Sequence, residues 1–206
     1  PYTPAERRYG LTGQALWVIA EHRFPLHLIT KSDLILKDLE PLTQIARDTR
    51  AAVSFTLTTV DDDLARIVEP GAPLPSARLR ALEALAAQGI TAGVTMMPIL
   101  PYLEDSPENV TAIIARAHQA GARYILAGLG MTMRDRQRAY YYARLDEHFP
   151  GLKERYMRRY GERYSCPPEN ARALRAVIDE ACARYGLPQR LEAWRPPPPP
   201  QQLALL

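Results

Sequence analysis

The residues of this sequence whose types could do chemistry fall in short groups that follow apolar runs. Lys31, Ser32 and Asp33 follow LHLIT, and a lysine there can hold a carboxylate or phosphate as a point charge, or simply end a strand in solvent. Ser54, Thr56 and Thr58 alternate along AVSFTLT, so a pleated strand puts their hydroxyls on one face, where they could donate to a ligand. The same residues also fit strands for purely structural reasons. Asp61, Asp62 and Asp63 could bind a metal; the more ordinary reading places them at the positive end of a helix capped by Thr59. Met96, Met97 and Pro98 lead into PILPYLED, and Gly128 and Gly130 would let backbone approach a ligand without making a dinucleotide fingerprint. His22, His27, His118 and His148 lie apart without ligand spacing, and no catalytic triad is visible. Cys166 and Cys182 are too few for a disulfide framework and match no short metal-ligand spacing.

These groups need elements to position them, and the apolar periodicity supplies an alternating order. Strands are predicted over 26–30, 52–58, 90–97 and 123–127, with helices over 11–22, 38–47, 61–68, 76–88 and 106–120. Ser106 followed by Pro107 and Glu108 is a helix start: a side-chain acceptor, a first-turn proline and a carboxylate at the positive end. Gly89 and Gly121 each close a helix ahead of a strand. Strands alternating with helices and buried on both faces predict a parallel sheet, an incomplete barrel or a small doubly wound fold. In such folds the loops after the strand C-termini line one rim, which is where the residues above cluster.

Beyond Gly130 the pattern reads as helical to about Tyr185, and its composition changes. Only Lys31, Lys37 and Lys153 are lysines among the 26 basic residues, and RDRQRAYYYAR and RYMRRYGERY interleave arginine with tyrosine. Arginine grips phosphate and tyrosine stacks on bases, so Arg134, Arg136, Arg138 and Tyr140 to Tyr142 are candidates for nucleic-acid contact. Helical geometry spreads three consecutive tyrosines around the axis, so at least one belongs in a core. Acidic residues dilute the patch, and a solvated helix face is the competing reading.

The whole chain, 206 residues with 47% hydrophobic and 24% charged residues and a formal charge of +3, has a globular composition. No apolar run approaches the roughly 18 residues of a membrane span, and no leader opens the chain, so no membrane partner is expected and the cytoplasm is the expected compartment. The chain starts at Pro1 as though within a loop, which predicts a piece of a longer protein. Residues 1–130 are expected to form the partial barrel, 131–194 a helical C-terminal extension, and 195–206 a Pro-rich disordered tail.

Five stretches together carry a resemblance: PYTPAERRY, ITKSDLILKDLEPL, VSFTLTTVDDDLARIVEPGAP, GITAGVTMMPILPYLEDSPENV and GMTMRDRQRAYYYARLDEHFPGLKERYMRRYGERYSCP. Over residues 1–192 the sequence resembles the radical S-adenosylmethionine (SAM) family, in its spore photoproduct lyase-like, DNA-repair photolyase-like branch. The resemblance implies a (β/α)6 barrel of which strands three to six are present, with SAM and a [4Fe-4S] cluster as cofactors. The family's C-x-x-x-C-x-x-C cluster loop is absent here, so the cluster ligands are expected outside this chain and no metal ligand within it. By position, the resemblance puts Glu6 near the SAM amino group and Lys31, in the segment with Ser32, against the SAM carboxylate. It likewise puts Thr56 at SAM polar groups and Met97, Pro98 and Ile99 beside adenine. It implies an enzyme that cleaves SAM reductively and abstracts hydrogen from a substrate, with nucleic acid and DNA repair as the candidates, and an electron donor for the cluster. The alternatives are a different barrel enzyme binding phosphate or metal at Asp61 to Asp63, and a non-catalytic nucleic-acid-binding module built on the arginine-tyrosine tail.

Overall fold

Four parallel strands organise the molecule, seen in a computed structural model that describes residues 2–196. Pro1 and residues 197–206, which include most of the expected disordered tail, lie outside the described residues. The strands β1 (Leu26–Thr30), β2 (Ala51–Thr56), β3 (Thr91–Ile99) and β4 (Ile125–Leu129) pair in that order, every pair parallel. Helices α1 (Glu6–Tyr9) and α2 (Leu11–Glu21) precede β1, and a 3-10 turn (Asp33–Asp38) with α3 (Leu39–Asp48) joins β1 to β2. Helices α4 (Asp62–Val68) and α5 (Pro75–Ala87) join β2 to β3, and α6 (Pro107–Gln119) joins β3 to β4. The chain is therefore α/β with a parallel sheet, and the helical start at Ser106 is as expected: its Oγ accepts the Asn109 N–H at 3.1 Å.

One face of the sheet carries the core. Leu28, Val53, Phe55, Val94 and Ile125 share a single apolar cluster with residues of α2, α3, α5 and α6. The expectation that the strands are buried on both faces holds for β2, buried at all six positions, and needs correction at β1 and near the end of β3. Along β1 burial alternates, and Ile29 and Met97 on the opposite face are 45% and 43% exposed. The physical reason is that the crossover helices of the main core pack against the face carrying Leu28, Val53 and Val94, which leaves the edge strand β1 and the end of β3 exposed on the other side.

The continuous helical tail also needs correction. A short ribbon interrupts it, with β5 (Met131–Thr132) antiparallel to β6 (Ser165–Cys166). Gly130 makes this reversal: its φ is +85°, and a Cβ there would come within 2.6 Å of the Cys166 carbonyl oxygen. Between the ribbon strands, α7 (Asp135–His148) and α8 (Leu152–Tyr160) build a second core from Met133, Leu145, Tyr156, Tyr160 and Cys166. Helix α9 (Ala171–Arg184) then returns to the main core through Leu174, Ile178 and Cys182 and packs on α6. Among the described residues no helix is long and apolar enough to cross a membrane.

Candidate functional site

The C-terminal rim of the sheet holds a cleft of about 330 Å³, assembled from the end of β1, the exit of β2, the loop after α4 and the loop after β3. Lys31, the first residue past β1, enters it with its Nζ 2.7 Å from Glu69 Oε1. Glu69 ends α4, and its other oxygen accepts from the guanidinium of Arg78. Arg78 is only 1% exposed and also donates to the carbonyls of Pro73 (2.7 Å) and Thr56 (2.9 Å). A buried guanidinium requires such partners, so this arginine ties the cleft wall to the end of β2.

The end of β3 supplies Pro98, and the loop after it Leu100 and Glu104. Glu104 is 1% exposed; it accepts the Thr58 hydroxyl at 2.7 Å and the Leu100 N–H at 2.9 Å. Burial pushes its carboxyl up to about 7, against the two hydrogen bonds, with Glu69 adding to the rise and Lys31 opposing it. Asn109 Nδ2 donates to the carbonyls of Thr58 and Glu104, both at 2.8 Å, which joins the β2 exit to this loop. The cleft thus sets one ammonium beside two carboxylates and an apolar wall, a set suited to a small dipolar ligand.

The predicted site residues divide. Lys31 and Pro98 come together in the cleft, which Thr58 also lines. Thr56 is buried at the end of β2, beside Thr95 in the register; the Thr95 hydroxyl is buried without a hydrogen-bond partner. Met97 projects from the open face against Gly128, whereas Ile99 is fully buried in the main core. Ser32 serves locally, its Oγ accepting the Leu34 N–H at 3.2 Å. Glu6 is buried beside α2, where it accepts the Thr12 N–H at 2.7 Å and faces Lys37 Nζ at 3.3 Å; it does not line the cleft. Desolvation opposes its ionisation, but these partners outweigh it and hold the carboxyl below its ordinary value.

Asp61 is the N-cap of α4, accepting from the Asp63 and Leu64 N–H groups, while Thr59 Oγ1 accepts the Asp61 N–H. Asp62 accepts from both the N–H and the hydroxyl of Ser76. These aspartates are helix and loop fasteners, and the described residues contain no group of three His, Cys, Asp or Glu that could hold a metal. Cys166 and Cys182 sit in separate cores, and burial raises both thiols, Cys182 to about 11.

A polar row on the face opposite the main core runs from β1 through β2 to the residue ahead of β4, with its last two members buried: His27 Nε2 lies 2.8 Å from Ser54 Oγ, which lies 2.8 Å from the Tyr124 hydroxyl. Gly93 makes room for it, since a Cβ there would meet the Tyr124 ring at 2.6 Å. In the tail, Arg138 is not a surface arginine. Its guanidinium is buried and donates to the carbonyls of Met133, Gly161, Glu162 and Arg163, closing the turn after α8. Tyr141 donates to the Tyr156 hydroxyl at 3.0 Å within the second core, and Tyr140 is 64% exposed.

Sequence reasoning missed Glu69, Arg78, Glu104 and Asn109. One signal was present: Arg78 interrupts the apolar stripe of α5 that continues through Leu82 and Leu85, and a cation on that stripe has to be paired inside.

Such a rim-cleft α/β fold has solved counterparts. The chain superposes on spore photoproduct lyase, in a doubly substituted form with bound AdoMet and dinucleoside spore photoproduct, with a TM-score of 0.66 and 15% identity. The match covers 91% of this chain and 57% of that one. A second structure, spore photoproduct lyase complexed with dinucleoside spore photoproduct, gives a TM-score of 0.67 at 14% identity over 90% of this chain and 56% of the other. The chain therefore shares the fold of the corresponding part of spore photoproduct lyase, four parallel strands with a helical C-terminus. No family model matches the chain. An uncharacterized protein of Mycobacterium tuberculosis is 32% identical over all 206 residues, and one of Methanocaldococcus jannaschii is 32% identical over 104 residues, half of this chain and 39% of that protein. The chain spans 59% of the length of its mycobacterial relative.

Proposed function

We propose that this chain forms the SAM-binding rim of a radical SAM enzyme, with chemistry of the kind represented by spore photoproduct lyase. The observation that carries the proposal is the cleft itself. On the rim where a parallel α/β fold binds ligands, Lys31 and Glu104 line one cleft, with Glu69 beside the lysine and Pro98 and Leu100 adding apolar wall. SAM is dipolar, carrying a carboxylate, an ammonium and a sulfonium on an adenosine. Lys31 would hold its carboxylate, and Glu104 would face its cationic groups. Thr56 at the end of β2 and the exposed Met97 would border the nucleoside, as would Pro98 from the cleft wall.

SAM bound next to a reduced [4Fe-4S] cluster supplies a 5′-deoxyadenosyl radical that abstracts hydrogen. The described residues do not fit the cluster: its ligands are thiolates, and the two cysteines are buried apart with raised thiols. No step through the cluster or its electron donor is therefore assigned to this chain, whose own part is to bind and orient SAM. Nucleic acid is the proposed substrate class, supported by the lesion that the structural neighbour binds, with exposed Tyr140 and Arg136 as contacts. The test is a titration of the chain with SAM followed by NMR. Lys31→Ala should weaken binding by about tenfold or more, the value of a charge-assisted contact. Unchanged affinity removes Lys31 from the site, and no binding by the unsubstituted chain overturns the reading.

A further inference from the structure

Lys31 is the one described residue of the cleft that brings a cation to it, yet it does not stand alone there. Its Nζ is 2.7 Å from Glu69 Oε1, and Glu69 is held from behind by Arg78. Arg78 in turn is rigid, buried to 1% exposure and bonded to the backbone at Pro73 and Thr56. From the geometry we infer that Glu69 is a positioning residue: the chain Arg78–Glu69–Lys31 aims the lysine ammonium at the carboxylate of the ligand. The inference rests on the SAM reading of the cleft and deepens it.

Two roles for Glu69 compete, and the structure separates them. An acidic neighbour could be a stand-in for the ligand carboxylate, leaving when the ligand arrives. Here departure would strip a buried guanidinium of its only carboxylate partner among the described residues, a costly step. Glu69 is also the residue at which α4 ends, in the Glu69-Pro70-Gly71 turn, and its carbonyl accepts the Ala72 N–H at 3.1 Å, so its backbone is fixed as well. A carboxylate anchored in this way stays, and the ligand shares the lysine with it. An ammonium has three donors, of which Glu69 takes one, so donors are left for an arriving carboxylate. The gain is pre-organisation: a lysine on a four-carbon stem, 41% exposed, is held in its binding position before the ligand comes.

The test compares SAM with decarboxylated SAM, which lacks the group that Lys31 would hold, in NMR titrations of the full chain. Glu69→Gln should weaken SAM by roughly tenfold while leaving decarboxylated SAM within about twofold, and in a Lys31→Ala background it should add no further loss. Equal losses for both compounds mean general damage and overturn the inference. Unchanged or tightened SAM binding overturns it too, the latter making Glu69 a competitor. If Glu69→Gln does not fold, Glu69→Asp, which keeps a carboxylate for Arg78 on a shorter stem, should give the same selective loss. Should Lys31→Ala leave SAM binding intact, the SAM reading of Lys31 fails whatever Glu69 does. If Lys31→Ala weakens SAM and the Glu69 variants do not, the positioning role alone fails.

Discussion

Replacing Glu104 by glutamine should remove a pH dependence of stability that this one carboxyl creates. In the fold its value is pushed up to about 7 from an ordinary 4.5, chiefly by burial. The native state therefore binds more protons than the unfolded state between those values, so the stabilisation is fully present below 4.5 and is lost as pH rises through 7. From these two values, the contribution is about 2.5 kcal/mol at pH 5 and almost nothing at pH 8. For a chain of this size that corresponds to a fall in Tm of about 5–10 °C over the interval. Glutamine copies the protonated acid: its carbonyl can accept the Leu100 N–H while its amide donates to Thr58, whose hydroxyl rotates to accept. The assay is urea or thermal denaturation of both proteins from pH 5 to 8, read as a difference curve. His27, whose value is lowered by burial and by Arg50, contributes with the opposite sign and cancels in that difference. Parallel pH profiles for the two proteins, or a parent that gains stability over this range relative to the variant, would refute the reasoning.

Other outcomes follow from contacts elsewhere. Arg138→Ala should cost about 3 kcal/mol or more in urea denaturation, because four carbonyls lose a buried donor, whereas exposed Arg136→Ala should stay within about 0.5 kcal/mol. Equal effects would contradict the clamp assigned to Arg138. Gly93→Ala should destabilise the fold by about 1–3 kcal/mol, since the added methyl meets the Tyr124 ring at 2.6 Å. An unchanged denaturation midpoint would mean that the ring moves aside freely.

The order of elements was legible because each predicted run carries its own local signal. LHLIT and AAVSFT are compact apolar runs, Ser106-Pro107 starts a helix by local capping chemistry, and Gly121 takes a φ of +87° that a side chain would resist. The rim location of Lys31 followed from the same alternation, since a residue just past a parallel strand reaches that rim. The partners of Lys31 were not legible. Glu69 and Glu104 lie 38 and 73 positions further along the chain than Lys31, and only the stacking of parallel strands brings their loops to one cleft. The tail shows the same division: interleaved arginine and tyrosine state a composition, not a direction. Packing turned Arg138 inward to four carbonyls and Tyr156 into a second core, and left Tyr140 in solvent. Local propensity and apolar period act over a few residues and can be read along the chain. Burial and the pairing of buried charges are properties of residues distant in sequence, and the tertiary fold alone decides them.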